Sequence, residues 1–259
     1  MQDFNAASNQ AGPTDKAGKA DRRARFCVVI PAYNHGGTVR EVALGAKKTG
    51  LPVFVVDDGS NDDTFQQIEG LNGIHALRHE SNRGKGAALC TGFEKALPIA
   101  DWAVTLDADG QHDPDNIEEM IRAARAAAQP PGRALIVGRR MGMDSANVHW
   151  TSRFGRGFSN FWVSICGGPR IKDSQSGFRI YPLPDVLNWN IRARRFEFEV
   201  EALVMARRHQ VPVVEVPVSV HYLPAGERVS HFRPWVDFFR NARTFSRLLT
   251  RRLFSALGG

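Results

Sequence analysis

The sequence predicts an α/β fold in which a mostly parallel sheet is flanked by helices and followed by a basic amphipathic helix at the carboxyl end. Three observations lead to this prediction: apolar runs alternate with helical patterns, polar clusters follow several runs, and arginines gather in the last segment. Alternating strands and helices are typical of doubly wound sheets, which bind ligands beyond the carboxyl ends of their strands. With 259 residues, 42% of them hydrophobic, the chain can bury one sizeable core or two small ones.

Four short apolar runs have the composition of buried parallel strands. They are Phe26 to Ile30, Val53 to Val56, Trp102 to Leu106 and Ala134 to Val137. Helical patterns lie between or beside them, at Thr38 to Lys48, Asp63 to Glu69, Gly84 to Leu97 and Pro114 to Ala128. The last of these has the clearest start, because Asp113 can cap it and Pro114 suits its first turn.

Polar clusters follow three of the predicted strands, and parallel strands bring their carboxyl ends to one edge of a sheet. The clusters are Pro31-Ala32-Tyr33-Asn34, Asp57-Asp58-Gly59-Ser60 and Asp107-Ala108-Asp109-Gly110-Gln111. We therefore expect them to converge on one site. Asp57 and Asp58 could cap the following helix, or their carboxylates could accept hydrogen bonds from a nucleobase or a ribose.

Asp107 and Asp109 are candidate metal ligands. A hard cation such as Mg²⁺ is typically held by one or two carboxylates while substrate phosphates complete its shell. A second Asp-x-Asp, at Asp113 and Asp115, fits the start of a helix better than a metal site. A calcium loop is excluded for the first pair, because the spacing of Gly110 from the flanking carboxylates does not match that loop.

Asn82-Arg83-Gly84-Lys85-Gly86 is a glycine-rich turn that opens a helix, which would let a phosphate or ribose approach the backbone. It is not a Walker loop, because Gly86 stands where Ser or Thr would follow Lys85. The first strand lacks a Gly-x-Gly-x-x-Gly sequence after it, so a dinucleotide dehydrogenase is not indicated. The polar cluster from Asp173 to Arg179 is either a Gly-centred turn or the place of a base or acceptor contact.

The net charge of +7 lies at the ends of the chain. Residues 231–259 carry a net +5 and residues 1–25 a net +2, which leaves residues 26–230 neutral. A neutral body argues against nucleic acid as a partner. Three widely separated cysteines predict neither disulfides nor a zinc site, so a reducing cytoplasm is expected. The sequence indicates no signal peptide and no membrane-spanning segment.

The segment from Arg233 to Leu253 has the pattern of a basic amphipathic helix, with aromatic and aliphatic residues at helical spacing and arginines off that stripe. Such a helix could pack on the body with its arginines in solvent, or lie on an anionic membrane surface. We therefore expect a disordered tail over residues 1–25, a folded domain over 26–230 and a helical segment over 231–259.

Six ordered motifs resemble family 2 glycosyltransferases, and especially their dolichyl-phosphate mannosyltransferase branch. They are Val28 to Asn34, Val55 to Ser60, Asn82-x-Gly84-x-Gly86, Asp107 to His112, Gly138-x-Arg140 and Asp173-x-x-Ser176-Gly177-Phe178-Arg179. The resemblance, which covers residues 26 to 222, implies a GT-A (Rossmann-like) fold and a nucleotide-diphosphate sugar donor. It also implies Mg²⁺ or Mn²⁺ as cofactor and inversion at the anomeric carbon.

The residue patterns and this resemblance together give the candidate site residues. The metal ligands would be Asp107, Asp109 and Gln111. The catalytic residues would be Asp109, Asp173, Arg140, Arg153 and Arg156. The substrate-binding residues would be Pro31, Tyr33, Asn34, Asp57, Asp58, Asn82, Gly84, Lys85, Asp107, Ser176, Gly177, Arg179 and Glu201. The sequence departs from the branch at His35 and His231, where an acidic residue and a lysine are common.

The resemblance implies metal-dependent, inverting transfer of a sugar to a lipid-linked acceptor, first of all polyprenyl phosphate. Negative charge develops on the leaving diphosphate, and a metal ion with nearby Arg or Lys stabilises it. A phosphate acceptor is already anionic, whereas a lipid or saccharide hydroxyl, the alternative acceptor in cell-envelope synthesis, needs a base such as Asp173. A non-catalytic sugar-nucleotide-binding membrane adaptor is the alternative of another class. Either protein would be cytoplasmic and peripheral at the cytoplasmic face of the membrane.

Overall fold

A computed structural model describes residues 25–127, 133–142, 150–220 and 234–257. Its strands are β1 (Phe26–Ala32), β2 (Val53–Asp57), β3 (Ile74–Arg78), β4 (Trp102–Thr105), β5 (Leu135–Arg140), β6 (Arg179–Pro182) and β7 (Val213–Val218). Its α-helices are α1 (Val39–Lys47), α2 (Thr64–Ile68), α3 (Lys85–Ala96), α4 (Ile117–Ala127), α5 (Trp150–Ile165), α6 (Leu183–Asn188), α7 (Glu197–Arg208) and α8 (Pro234–Leu257), and a 3-10 turn spans Pro114–Asn116. The tail predicted to be disordered lies outside the described residues, apart from Arg25.

The strands form one seven-stranded sheet in the order β3-β2-β1-β4-β6-β5-β7. β6 is antiparallel to β4 and β5, and the other neighbours are parallel. β1, β2, β4 and β5 therefore end at one edge of the sheet, and β6 begins there. This carboxyl edge is where a doubly wound sheet binds its ligands.

Side chains of the central strands alternate between two cores, as the two-residue period of a strand requires. In β1, Cys27 and Val29 face the core that is covered by α3, α5, α6, α7 and α8. Val28 and Ile30 face the opposite core, under α1, α2 and α4. Burial on both faces explains why these strands were apolar without interruption.

The four predicted strands and four predicted helices are present, with ends shifted by a few residues. Asp113 caps the 3-10 turn that precedes α4, since its side chain accepts a hydrogen bond from the Asp115 N–H (2.9 Å). The strands β3, β6 and β7 were not predicted. The stretch from Phe196 to Glu201, which could have been strand or helix, enters α7.

The carboxyl-terminal segment forms the predicted helix, α8, and this helix packs on the body. Phe245 and Leu248 are buried, and Phe245 stacks on Trp162 of α5 with ring centroids 5.9 Å apart. Arg208 of α7 donates a hydrogen bond to the Leu248 carbonyl (2.8 Å). Within the described ranges, no helix is both long enough and apolar enough to cross a bilayer.

Candidate active site

The polar clusters that follow β1, β2 and β4 meet at the carboxyl edge, as expected. The Asn34 backbone N–H donates to Ser60 Oγ (2.8 Å), and the Asn34 side-chain oxygen accepts from the Asn61 N–H (2.9 Å). The Thr38 hydroxyl donates to the Ala108 carbonyl (2.6 Å). These hydrogen bonds fix the loop after β1 to both neighbouring loops.

The two carboxylate oxygens of Asp57 differ: one accepts hydrogen bonds from Ser60, and the other accepts none within the described residues. Its Oδ1 accepts hydrogen bonds from the backbone N–H (3.0 Å) and the hydroxyl of Ser60. Its Oδ2 is buried and accepts no hydrogen bond within the described residues, although Nε of Arg78 lies 3.2 Å away. Pro31 is buried and Tyr33 half-buried at the end of the neighbouring strand. An acceptor here suits a donor group of a nucleoside.

Asp58 organises the loop that leads into the glycine-rich turn. Its carboxylate accepts from the backbone N–H groups of Arg83 (2.9 Å) and Gly84 (2.7 Å). Its Oδ1 also lies 2.7 Å from Nδ1 of His79, whose Nε2 is 3.0 Å from the Thr91 hydroxyl. The expected nucleoside contact of Asp58 would therefore add to three contacts that it already makes within the protein.

The glycines of that turn make room for the protein's own backbone. Gly84 has a φ of +102°, and a Cβ at this position would collide with Arg194 and Arg195. Gly86 packs in the same way against Arg194 and Phe198. The need for glycine at position 84 is thus explained by contacts within the protein, and the expected approach of a ligand to this turn stays a prediction. Likewise, the Asn82 side-chain oxygen accepts a hydrogen bond from Arg195 (2.7 Å).

Asp107 and Asp109 follow β4 and differ in their immediate partners. Nζ of Lys85 lies 2.5 Å from Asp107 Oδ1, and Gln111 donates to the Asp109 carboxylate from its backbone (3.0 Å) and its side-chain amide (2.7 Å). Burial would raise the pKa of Asp107, but the charge and hydrogen bond of Lys85, together with the charges of His112 and Arg140, outweigh it and lower this pKa to about 2. Burial and the charge of Asp107 raise the pKa of Asp109.

These groups fit a divalent cation that is shared with a diphosphate. The described part of the chain holds no cluster of three or more His, Cys, Asp or Glu suited to a metal ion. Two neighbouring carboxylates with the Gln111 oxygen are, however, the hard and incomplete ligand set that Mg²⁺ completes with waters and phosphate. Burial and, after it, the charge of Asp107 raise the pKa of Asp109, and a cation bound there would stabilise its carboxylate form against both.

Glu199 is a residue of the site that was not predicted. Its Oε1 lies 2.6 Å from Nζ of Lys85, which is also 2.5 Å from Asp107 Oδ1. Burial would lower the pKa of Lys85, but Asp107 and Glu199 outweigh it and raise this pKa. The signal available in the sequence is the alternation of apolar residues and Glu from Phe196 to Glu201, because a helix there directs Glu199 and Glu201 to different faces.

Arg140 and Asp173 form a two-point ion pair beside the cluster of Lys85, Asp107 and Glu199. Nε and Nη2 of Arg140 donate to the two oxygens of Asp173 (2.8 and 2.9 Å), which is fully buried. Burial would raise the pKa of Asp173, but the hydrogen bonds and charge of Arg140 lower it, and Arg156 contributes in the same direction. Ser176 is buried nearby with a hydroxyl that makes no hydrogen bond within the described residues. The side chain of Arg153 lies outside the described residues.

Arg179, predicted to contact substrate, is engaged by the scaffold. Its fully buried guanidinium donates to the backbone carbonyls of Ser174 (2.7 Å), Ser176 (2.8 Å) and Glu199 (2.6 Å). These hydrogen bonds fasten the loop before β6 to the first turn of α7.

Glu201, predicted to bind substrate, makes structural contacts within the described residues. Its fully buried carboxylate accepts from the backbone N–H groups of Arg192 (3.2 Å) and Ala193 (2.8 Å) and from Nη2 of Arg247 (2.6 Å). Glu201 therefore joins α8 to α7.

Comparison with known proteins identifies the family. Residues 27–181 match the family described as Glycosyl transferase family 2. The chain belongs to this family. It is 33% identical over 220 residues to the UDP-N-acetylglucosamine--dolichyl-phosphate N-acetylglucosaminyltransferase of Methanococcus voltae, a match that covers 75% of this chain and 85% of that one. It is 27% identical over 216 residues to the undecaprenyl-phosphate mannosyltransferase of Micrococcus luteus, covering 78% and 86%.

Solved structures show the same fold. Glucosyl-3-phosphoglycerate synthase from Mycobacterium tuberculosis, in complex with Mn²⁺, UDP-glucose and phosphoglyceric acid, matches with a TM-score of 0.65 at 19% identity. The match covers 89% of this chain and 80% of the synthase. The predicted GT-A fold, the family and the enzyme class, a glycosyltransferase, are thus confirmed.

Proposed function

We propose that this family 2 glycosyltransferase transfers a sugar from a nucleotide-diphosphate donor to polyprenyl phosphate, with inversion and with a divalent cation. The observation that carries the choice of acceptor is the buried ion pair of Arg140 and Asp173. The proposal is supported by the chemistry of that pair, by the apolar cavity between α5 and α8, and by relatives that are named for dolichyl and undecaprenyl phosphate.

The donor would lie along the carboxyl edge of the sheet. Oδ2 of Asp57, which pairs with Arg78 but accepts no hydrogen bond within the described residues, would contact the nucleoside together with Tyr33 and Asn34, and Lys85 would face the diphosphate. A divalent cation at Asp107, Asp109 and Gln111 would neutralise charge on the diphosphate as it leaves. Lys85 and Arg140 place further positive charge at the same edge, where it would stabilise the leaving group.

The acceptor choice depends on what Asp173 can do. A hydroxyl acceptor needs a base whose pKa lies near the working pH, and Asp173 has a lowered pKa with both oxygens bonded to Arg140. A phosphate monoester needs no base, because it is anionic at neutral pH. It needs guanidinium groups, which bind phosphate with paired hydrogen bonds. Arg140 and Arg156 supply them, and Asp173 holds Arg140 in place.

An apolar cavity lined in part by α5, the helix that carries Arg156, would suit a prenyl chain. Its volume is about 440 Å³, and it lies between α5 and α8. Arg156 precedes this lining on α5, so one helix would meet both ends of the acceptor. The exposed Phe161, 57% accessible, continues the apolar surface outward. The residues that line the cavity are Phe158, Trp162, Ala242, Phe245, Ser246 and Leu249.

The proposal is tested by a donor and acceptor screen with the full chain. UDP-GlcNAc, UDP-glucose and GDP-mannose are each supplied with Mg²⁺ or Mn²⁺ and with either undecaprenyl phosphate or undecaprenol. We expect one donor to give a glycosylated lipid with the phosphate alone. Transfer to undecaprenol with none to the phosphate would favour the hydroxyl alternative. Binding of a donor without turnover on any acceptor would favour the adaptor.

A further inference from the structure

Lys85 is shared between two carboxylates at the candidate metal site. Its Nζ lies between Oδ1 of Asp107 (2.5 Å) and Oε1 of Glu199 (2.6 Å). The Lys85 side chain is 15% exposed and the Glu199 side chain 6%, so water screens these ion pairs poorly. One ammonium therefore balances two carboxylates, of which only Asp107 belongs to the expected metal ligands.

Three separate elements hold this triad together. Lys85 begins α3, Asp107 follows β4, and Glu199 lies in the first turn of α7. Gly177 leaves the necessary space, because a Cβ there would come within 2.5 to 2.7 Å of the Asp107 oxygens and of Lys85 Nζ. The Glu199 backbone is fixed in turn by its hydrogen bond from Arg179 (2.6 Å). The position of the Glu199 carboxylate is thus set by the scaffold.

We propose that Glu199 is a positioning residue: it holds the Lys85 ammonium in the site when Asp107 exchanges its contact with Lys85 for a divalent cation. This inference rests on the proposed function. A cation at Asp107 would repel the ammonium that is bonded to the same carboxylate. Glu199 gives that ammonium a second buried counter-charge, so Lys85 stays in the site to face the diphosphate. Without Glu199, the ammonium would be bound by Asp107 alone and would compete with the cation.

A titration with Mn²⁺ alone tests this role, with the free ion followed by electron paramagnetic resonance on the full chain. Glu199→Gln should weaken Mn²⁺ binding roughly tenfold or more, the scale on which residues that support metal ligands act. Lys85→Met should strengthen it, because the competing ammonium is gone. Glu197→Gln is the matched control: it removes a carboxylate from the same turn, one with no contact to Lys85 within the described residues, and should leave binding unchanged.

The double variant Lys85→Met/Glu199→Gln separates positioning from direct ligation. If Glu199 acts through Lys85, its substitution has no effect once Lys85 is absent. An equal loss of Mn²⁺ affinity in both backgrounds would make Glu199 a metal ligand and overturn the proposal, as would unchanged affinity in Glu199→Gln. Mn²⁺ binding that is absent from the unchanged chain, or that survives Asp109→Asn, would overturn the metal site as well. A cooperative thermal transition shows that each variant is folded.

Discussion

Asp107 and Asp109 share one partly buried loop, yet of these two carboxylates only that of Asp107 is bonded to Lys85. The ammonium keeps Asp107 ionised, whereas Asp109 meets burial and a like charge, and their pKa values move in opposite directions. The result is a carboxylate pair whose unbalanced charge a divalent cation would neutralise. Asp113 and Asp115 have the same spacing, but Asp113 is used as a helix cap.

These different environments predict opposite outcomes for two similar substitutions. Asp109→Asn should reduce turnover by at least ~10²-fold, since it removes a charged group that stabilises the transition state. Asp113→Asn should keep most of the activity and change stability by about 1 kcal/mol or less, because asparagine also caps helices well. Steady-state kinetics with and without excess chelator decide the matter. Full activity of Asp109→Asn, or of the unchanged chain in chelator, would contradict metal dependence.

Gly177 offers a second prediction at the scale of a residue. A methyl group at this position would press on both Asp107 and Lys85, and misplacement of catalytic groups by about 1 Å costs up to ~10²-fold in rate. Gly177→Ala should therefore lower turnover while the fold is kept, as seen by circular dichroism. Gly37→Ala is the control, because no atom lies within 4 Å of the added carbon. Equal activity of the two variants would mean that a methyl group at position 177 does not displace Asp107 or Lys85.

At the scale of elements, the sequence reveals four apolar strands and hides the two edge strands, β3 and β7, and the short interior strand β6. β1, β2, β4 and β5 are buried on both faces and so were recognisable as apolar runs. β3 is a half-exposed edge strand, and β6 has only four residues. The strand-end clusters could be predicted because they directly follow these recognisable strands. The role of Glu199 could not, because Lys85 is distant in the sequence and only the folded chain brings the two together. The scaffold role of Arg179 could not either, because its acceptors are backbone carbonyls, which residue types do not reveal.

The contact between α7 and α8 leads to a prediction about stability. Arg247→Met removes a hydrogen bond to the buried Glu201 carboxylate, and hydrogen bonds to charged groups contribute about 1.5–3 kcal/mol. We expect a loss of this size in the free energy of unfolding, measured in urea, with faster amide exchange in α8. Arg243→Met, an exposed change on the same helix, should lose far less. Equal losses would mean that the ion pair does not fasten the helix.

At the scale of the whole molecule, the apolar cavity and the arginines of α8 lie on the same side of the sheet. α5 and α8 both cover the core that lies opposite α1, and the apolar cavity opens between them. Because Phe245 and Leu248 are part of this core, the aromatic stripe of α8 is only partly available to a membrane. Removing residues 231–259 would therefore damage the core and would not isolate membrane binding.

Charge reversal tests attachment to an anionic membrane without disturbing that core. Basic residues near an anionic surface contribute about 1 kcal/mol each, so Arg243→Glu on α8 should weaken binding to phosphatidylserine vesicles on the order of tenfold. Salt should weaken the binding of the unchanged chain, because exposed charges are screened. Lys48→Glu, an exposed reversal beside α1 on the opposite face, should bind as the unchanged chain does. Co-sedimentation measures all three proteins. Equal pelleting with neutral and anionic vesicles, or equal losses in both variants, would mean that this face does not meet the membrane.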